Sequence, residues 1–418
     1  MKLQKILIRL QKLHPKEIDL SLDRIKLLCS KLGNPQNNLK CISVVGTNGK
    51  YSTIQSIKAI LKEANINCNI YTSPHIQKIN ERFIYNHEEI SDEDLSKLLI
   101  EVEEINSGEP ITYFEILTAA YFYHAKKFNN NINLIESGLF HRFDATNIIN
   151  ENLATIIAPI GLDHLDWLPE NERTIEKIVF EKTSSLLNSK IIVSKQTSSE
   201  TLNIIKKNIS ENNSQKIIFN EQFSCSENEN GFIYYEDEIG GLKLPKPNLL
   251  GEFQIDNIAT AIATLRNLDF QIKEKHIKNG ITKIKSIARL QEIKSGKLKD
   301  LCKNNKIFVD GSHNPLGAKV LNKYLESFNC DKHIILGMMA NKDHRKYMSY
   351  FTNISSLSTV DIKNQNNSIK GIDLKNKLQN AEYRESIKDA INKIDLKEND
   401  IILITGSLYL AGEVLNLN

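Results

Sequence analysis

Residues 46–53 read Gly-Thr-Asn-Gly-Lys-Tyr-Ser-Thr and follow the short apolar run Ile42-Ser43-Val44-Val45. A buried strand that enters a glycine turn and then a helix points several backbone N–H groups at one spot. Lys50 adds an ammonium group there and Ser52 a hydroxyl. Such a device suits a nucleoside triphosphate with its Mg²⁺. The motif departs from a complete Walker A. Val44 stands where a glycine lies six residues before the lysine, and Tyr51 separates Lys50 from Ser52 and Thr53. G-T-N-G-K-x-[ST] is a shorter version of the same device. The plainer alternative is a glycine-rich β-to-α turn, of which any α/β protein has several.

Further polar clusters fall where short apolar runs end, the place where clefts open in α/β sheets. Thr72-Ser73-Pro74-His75 follows Cys68–Tyr71. It reads as a Ser-Pro turn or as a loop that brings the Ser73 hydroxyl to a metal. Glu136 closes the run from Ile132; a carboxylate there needs a partner, and either a divalent cation or Arg142 supplies one. His164, within Gly161–Trp167, is either a Mg²⁺ ligand or a hydrogen-bonded loop histidine, and imidazole is the less usual ligand for that ion. Asp310-Gly-Ser-His-Asn-Pro315 follows Ile307–Val309. Asp310 and His313 could reach across an interdomain cleft, while Asn314 and Pro315 read as a helix cap and first helical residue. Both readings can hold together.

These loops need a scaffold. Short apolar runs alternate with segments of helical period, the pattern of a parallel sheet wrapped by helices. Strands are expected at Ile42–Val45, Cys68–Tyr71, Ile132–Glu136, Thr155–Pro159 and Ile191–Ser194. Helices are expected at Leu22–Leu32, Ser52–Glu63, Asp92–Asn106, Glu115–Phe128, Thr174–Leu187, Glu200–Ile209 and Glu252–Leu268. Phe223–Leu244, rich in Gly, Asn and Tyr, reads as a β-hairpin excursion. A second alternating set comprises Ile307–Val309, a helix from Pro315, Ile334–Leu336, a helix from Lys342, and Ile401–Ile404 before a last helix. Lys285–Asp300 has little periodicity and is the expected junction. The expected class is α/β: a P-loop-type parallel sheet in an N-terminal domain, 1–290, and a smaller Rossmann-like α/β domain, 296–418.

The chain has 418 residues, a length for about two or three domains. Its 54 basic and 51 acidic side chains leave a net charge of +3, which argues against nucleic acid or an anionic membrane as partner. Six cysteines (Cys29, Cys41, Cys68, Cys225, Cys302, Cys330) are scattered without a C-x-x-C. That argues against a disulfide framework or zinc site and for a reduced, cytoplasmic compartment. Met1 to Lys16 is basic and amphipathic without an apolar h-region, so it reads as a docked helix and not as a signal peptide. No apolar run approaches the about 20 residues that span a bilayer. No exposed heptad stands out, and a monomer is expected.

In their order, these clusters make the chain resemble the folylpolyglutamate synthase/dihydrofolate synthase family, a branch of the Mur-ligase-type ATP-dependent amide ligases. The resemblance runs through Ile18–Leu22, Gly46–Lys50, Tyr71–His75, Asn80-Glu-Arg82, Thr112–Glu115, Asp144–Asn147 and Leu162-Asp-His164. It continues through Glu181-Lys182, Gly251 with Gln254 and Asn257, Ala288–Gln291, Asp310–Pro315, Lys342-Asp343 and Gly406–Leu410. Each segment is weak alone; their joint order over most of the chain is specific. The resemblance implies ATP, Mg²⁺ at one or two sites, and ligation of L-glutamate to dihydropteroate, with tetrahydrofolate as a further acceptor.

Roles follow from it position by position. Gly46, Thr47, Asn48, Gly49, Lys50, Tyr51 and Ser52 fall on the family's phosphate loop. Asn257, Arg289 and Asp310 match ATP-binding positions. Ser73, Glu136 and His164 match Mg²⁺ ligands. Lys182 matches a lysine that the family carries as a carbamate. Lys50, Lys182, Arg289 and His313, the last in the Asp310 loop, are the candidate catalytic residues. Asp19, Leu20, Ser21, Thr112, Tyr113, Phe114, Glu115, Phe143, Asp144 and Ala145 match contacts to the pterin substrate. The implied reaction activates a carboxylate as an acyl phosphate, which the glutamate amine attacks. Water must be excluded, so closure of the two domains, with a hinge near Lys285–Asp300, is expected.

The chain departs from the family's pattern in three places. Tyr51 replaces a glycine, which is tolerated in a helix and strained at positive φ. Phe140 and His141 replace two glycines of E-V-G-L-G-G-R-L-D-A-T-N, and Thr183-Ser184 replaces Ala-Gly. The leading expectation is retained activity with a reshaped substrate pocket. The alternatives are a folylpolyglutamate synthase only, or a degenerate nucleotide-binding protein. A cell-wall Mur ligase is disfavoured, because the pterin-like segments would then lack a purpose.

Overall fold

The computed structural model describes residues 2–16 and 19–418. Met1, and Glu17 with Ile18, the latter opening the Ile18–Leu22 segment, lie outside the described residues. The chain divides into two compact units. One comprises Met1–Ile160, Glu170–Pro247 and Ile255–Ile284; the other comprises Gly161–Pro169, Asn248–Gln254 and Lys285–Asn418. The two short segments in the second unit carry no compositional break that sequence reading detects.

The first unit is built on β1 (Lys40–Val45), β2 (Cys68–Tyr71), β3 (Phe83–Tyr85), β4 (Glu88–Glu89), β5 (Ile132–Glu136), β6 (Ala154–Ile157), β7 (Lys190–Val193) and β8 (Lys216–Ile218). Among the described residues they form one sheet in the order β4-β3-β2-β5-β1-β6-β7-β8. It is parallel from β2 to β8, with β3 and β4 antiparallel at one edge. Cys41 to Val45 are all buried, as a continuous apolar strand covered on both faces should be. The register sets Val44 opposite Glu136, so the carboxylate emerges beside the phosphate turn. β2 and β5 have the expected bounds. β6 stops at Ile157, because Pro159 turns off to accept hydrogen bonds from Thr47 and Asn48. The short strands β3, β4 and β8 carry too few residues to show a period.

Helix boundaries moved where caps decide them. The helix Lys50–Glu63 begins two residues earlier than expected, because Gly49 at φ +83° serves as its cap. Thr112 and Glu115 form a reciprocal capping box that starts the helix Tyr113–Ala125 two residues earlier than expected. The helix expected to reach Leu187 ends at Thr183. There the Thr183 hydroxyl donates to the Val179 carbonyl and Ser185 accepts from Asn147, hydroxyl bonds that compete with helix continuation. The N-terminal helix, Leu3–Leu10, docks through buried Ile6 and Leu10. The excursion at Phe223–Leu244 is a separate antiparallel sheet of β9 (Phe223–Glu227), β10 (Ile233–Asp237) and β11 (Leu242–Leu244).

The second unit contains β12 (Gln291–Glu292), β13 (Lys306–Val309), β14 (Lys332–Leu336), β15 (Ser356–Thr359), β16 (Ala381–Tyr383) and β17 (Ile401–Thr405). Their order is β12-β13-β17-β14-β15-β16, parallel except for β12. The expected α/β class therefore holds for both units. The helix placed at Lys342 is short, His344–Met348, with Asp343 as its cap. Among the described residues no helix is long and apolar enough to cross a membrane.

The helix carrying the phosphate turn is held from behind by the helix Glu274–Ile281. A β-carbon at Gly280 would lie 2.8 Å from Ile60 Cα and 2.9 Å from its nitrogen. Those are backbone atoms and cannot yield cheaply. Gly280→Ala should therefore lower stability by about 1–3 kcal/mol, despite a gain of about 1 kcal/mol in helix propensity. The midpoint of urea unfolding measures this.

Candidate active site

The phosphate turn is held open by backbone bonds. Thr47 and Asn48 both donate their N–H to the Pro159 carbonyl, at 2.9 and 3.1 Å. Gly46 sits at φ +142° with Ala158 so close that a β-carbon would fall 2.9 Å from it. Gly49 abuts the Asn257 amide, whose oxygen would be 2.5 Å from a β-carbon. Asn257 is thus placed against the turn. Tyr51 lies in the first turn of the helix and is not among the positive-φ residues, so its replacement of glycine strains nothing. Ser52 is buried in the same turn. Lys50 bends back over the loop, its Nζ donating to the carbonyls of Gly46 (3.2 Å) and Thr47 (3.1 Å).

Lys50 Nζ also lies 3.8 Å from Glu136 Oε1. Glu136 Oε2 accepts from the backbone N–H of Ser73 at 3.3 Å. The loop carrying Ser73 is fixed by Glu81, which accepts from the N–H groups of Ile76, Gln77 and Lys78 at 2.7, 2.9 and 3.0 Å. Three expected site residues from separate segments therefore converge. Arg142, the protein partner considered for Glu136, is engaged elsewhere: it forms a two-pronged pair with Glu181 at 2.8 and 2.8 Å. A nearly buried carboxylate beside a serine suits a hard divalent cation, so the donor chemistry at Glu136 and Ser73 fits one. His164 belongs to the second unit. It takes φ +57°, and its N–H donates to Asp163 Oδ1 at 2.9 Å.

The loop after Glu136 is knitted by its own side chains. Asp144 accepts from the Gly138 N–H (2.8 Å) and from the Thr146 N–H (3.0 Å) and hydroxyl. Burial raises its carboxyl pKa, opposed by these bonds and by the charge of Lys182. Ser137 Oγ pairs with His141 Nδ1 at 2.9 Å. Burial, with Lys182 nearby, pushes the His141 imidazole down to about 4. Lys182 is buried, and its Nζ donates to the Leu139 carbonyl at 2.8 Å.

The three segments expected to meet the pterin are linked. Arg24 joins Asp19 (3.0 Å) to Glu115 (3.0 Å). Phe114 stacks on Tyr71 with centroids 6.1 Å apart. A β-carbon on Gly138 would touch both Phe114 and Asp144. Leu20, Ser21, Tyr113, Phe143 and Ala145 accompany these residues in sequence; Arg142 lies 4.4 Å from the Phe143 ring centre.

In the second unit Asp310 is buried, with burial raising its pKa and the neighbouring Arg289 charge opposing that. Its oxygens accept from the N–H groups of Leu290 (2.6 Å) and Ser312 (2.7 Å). Ala288 and Leu290, on either side of Arg289, take φ +53° and +50°. Such conformations cost energy for residues with side chains; here Asp310 holds the Leu290 N–H, while the Ala288 N–H donates to Gln291 Oε1 (2.9 Å) and the Ala288 carbonyl accepts from the Gly311 N–H (2.9 Å). Asn314 caps the helix from Pro315 by accepting from the Gly317 N–H at 2.9 Å, as expected.

Residues 290–408 match the family described as Mur ligase, glutamate ligase domain. The dihydrofolate synthase/folylpolyglutamate synthase of Bacillus subtilis is 29% identical to this chain, over 94% of the chain and 94% of its own length. The solved structure of Escherichia coli FolC in complex with DHPP and ADP has 25% identity and a TM-score of 0.87, covering 100% of this chain and 97% of that one. Over nearly its whole length the chain is similar to dihydrofolate synthase/folylpolyglutamate synthases. A bifunctional member from Yersinia pestis, complexed with AMPPNP and Mn, shares the fold at a TM-score of 0.87 and 24% identity.

One carboxylate of the second unit has no local sequence signal. Asp163 was seen only as a neighbour of His164. In the second unit it accepts from Lys342 Nζ (2.6 Å) and Asn314 Nδ2 (2.9 Å), and lies 3.5 Å from His313 Nε2. Its partners stand some 150 to 180 positions away in sequence, as the separations 151 and 179 attest, so no local pattern announces them. Burial alone would raise its pKa. The hydrogen bond with His313 and the charges of His164, His313 and Lys342 outweigh that and hold it well below the ordinary value.

A carboxyl with a depressed folded pKa contributes stability above its unfolded pKa and loses it as pH falls through the folded value. Asp163→Asn should cost about 3 kcal/mol at neutral pH, because it removes the charge partner of the partly buried Lys342. The deficit should persist down to about pH 4 and shrink only below it. Urea unfolding followed by the fluorescence of Trp167, the single tryptophan, reads this segment directly.

Proposed function

We propose that the chain joins L-glutamate to dihydropteroate at the expense of ATP and also extends tetrahydrofolate with glutamate. The observation that carries this reading is the convergence of the phosphate turn, Lys50, Ser73 and Glu136 at the strand ends of the first unit. A turn that positions a triphosphate beside a cation-ready carboxylate is suited to moving a phosphoryl group.

A free carboxylate is a poor acyl donor, since oxide does not leave. In the proposed reaction an acceptor carboxylate oxygen attacks the γ-phosphorus and the bond to the β–γ bridging oxygen breaks, its electron pair leaving with ADP. The glutamate α-amine then attacks the acyl carbon. The C–O bond to phosphate breaks, and the amine gives up a proton. The N–H groups of the turn, with Gly49 and Asn257 shaping it, hold the β- and γ-phosphates, and Lys50 neutralises charge on the transferring oxygens. A bound divalent cation, which this reading takes as Mg²⁺, would share that neutralisation, with Ser73 and Glu136 holding it. His164 is proposed as a further ligand on the resemblance alone. Arg289 and Asp310 keep the expected part in ATP binding, Asp310 by fixing the backbone that presents Arg289. His313 is proposed to act in the same loop. Asp19 to Ser21, Thr112 to Glu115 and Phe143 to Ala145 receive the pterin. A cytoplasmic monomer completes the reading.

Release of phosphate from Mg-ATP, dependent on both glutamate and an acceptor, tests the proposal with dihydropteroate and tetrahydrofolate separately. Turnover with both supports it. Turnover with tetrahydrofolate alone reduces it to a folylpolyglutamate synthase, and nucleotide binding without turnover contradicts it. Lys50→Ala and Glu136→Ala should each lower turnover by about 10²–10³-fold while leaving the circular dichroism spectrum intact.

A further inference from the structure

The second unit carries a cluster that the ligase reading leaves unused. It lies at the amino ends of the parallel strands β14, β15 and β17, whereas Asp310, Asn314 and Lys342 follow the carboxyl ends of β13 and β14. Parallel pairing sets His333 of β14 opposite Ser356 of β15. His333 Nδ1 lies 2.8 Å from Ser356 Oγ, and its Nε2 lies 3.3 Å from Asp400 Oδ2. Asp400, just before β17, is fixed by the Lys397 N–H, which donates to the same oxygen at 2.8 Å. His333 and Asp400 are buried, and Ser356 is half-buried. A carboxylate only accepts hydrogen bonds, so Asp400 draws the single N–H of a neutral imidazole to Nε2. The Nδ1 lone pair then faces the Ser356 hydroxyl, which donates to it.

We propose that Ser356 is a nucleophilic serine, activated by His333 and oriented through Asp400, that accepts a small acyl group from an activated ester. A hydroxyl, an imidazole and a carboxylate bonded in that order are the parts such a step needs. Ser356 Oγ attacks the acyl carbon, and its proton passes to His333 Nδ1. The carbonyl π pair moves onto oxygen. It returns as the bond to the leaving oxygen breaks, that oxygen keeps the bonding pair, and His333 gives the proton up to solvent. The product is an ester on Ser356. The neighbouring Ser355 supplies a contrast. It is exposed, and its hydroxyl donates to Asp331 Oδ1 at 2.8 Å. Hydrogen bonds from Lys397 and from Ser355 itself hold the Asp331 carboxyl below its ordinary value, so it is the poorer base. Of two adjacent serines, the more exposed one lacks the histidine, which separates activation from accessibility.

The full chain treated with p-nitrophenyl acetate, quenched in acid at successive times and followed by peptide mass spectrometry, tests this. Ser356 should gain an acetyl group at least about 100-fold faster than Ser355. His333→Gln should bring Ser356 down to the rate of Ser355. A Ser356 rate no greater than that of Ser355 in the wild type overturns the proposal, as does a rate that a folded His333→Gln leaves unchanged. The wild-type comparison of the two serines needs no variant, so a His333→Gln chain that fails to fold does not shield the proposal. Labelling is read without ATP or folate, so its result stands apart from the ligase reading.

Discussion

A carboxylate buried at the end of a central strand must be met by opposite charge or by hydrogen-bond donors, or it takes up a proton instead. Glu136 is such a group. β5 delivers it level with Val44 of β1, and the next residues of β1 form the phosphate turn. Lys50 and the Ser73 N–H answer its charge from two further segments. The first unit is arranged so that these segments end together. The parallel sheet aligns the strand ends, Gly280 lets a supporting helix approach the helix of Lys50, and Glu81 fixes the Ser73 loop. A partial negative charge held this way, beside a lysine and a cluster of N–H donors, is the arrangement that a hard cation and a polyphosphate can complete without large rearrangement.

The second unit repeats the device with different residues. Asp310 engages two backbone N–H groups, those of Leu290 and Ser312, and so helps hold Leu290 at positive φ beside Arg289. Asp163 gathers Lys342, Asn314 and His313. In both cases a buried carboxylate ties down loop residues: Asp310 those before β12 and after β13, Asp163 those after β13 and after β14.

Much of this was legible in the sequence, for physical reasons that also mark its limits. Buried parallel strands are continuous apolar runs, so β1, β2 and β5 could be read closely. The phosphate turn announces itself through local spacing, and so does the Asn314-Pro315 cap. Edge strands such as β4, with Glu88 and Glu89 both exposed, have no period to read. The true partner of Arg142 was hidden because Glu181 lies 39 positions away. The hub at Asp163 was hidden for the same reason, since long-range pairing leaves no local trace. Tyr51 leaves two outcomes open in the sequence, tolerated in a helix or strained at positive φ, and the helix start at Lys50 decides for the first.

The central claim is that the Lys50–Glu136 constellation serves phosphoryl transfer to a carboxylate and not to water. Dihydropteroate labelled with ¹⁸O in its carboxylate tests that claim most directly. If an acyl phosphate forms and the glutamate amine displaces phosphate, one ¹⁸O atom should appear in inorganic phosphate for each amide bond made. Phosphate released without ¹⁸O, while amide product accumulates, would contradict the account.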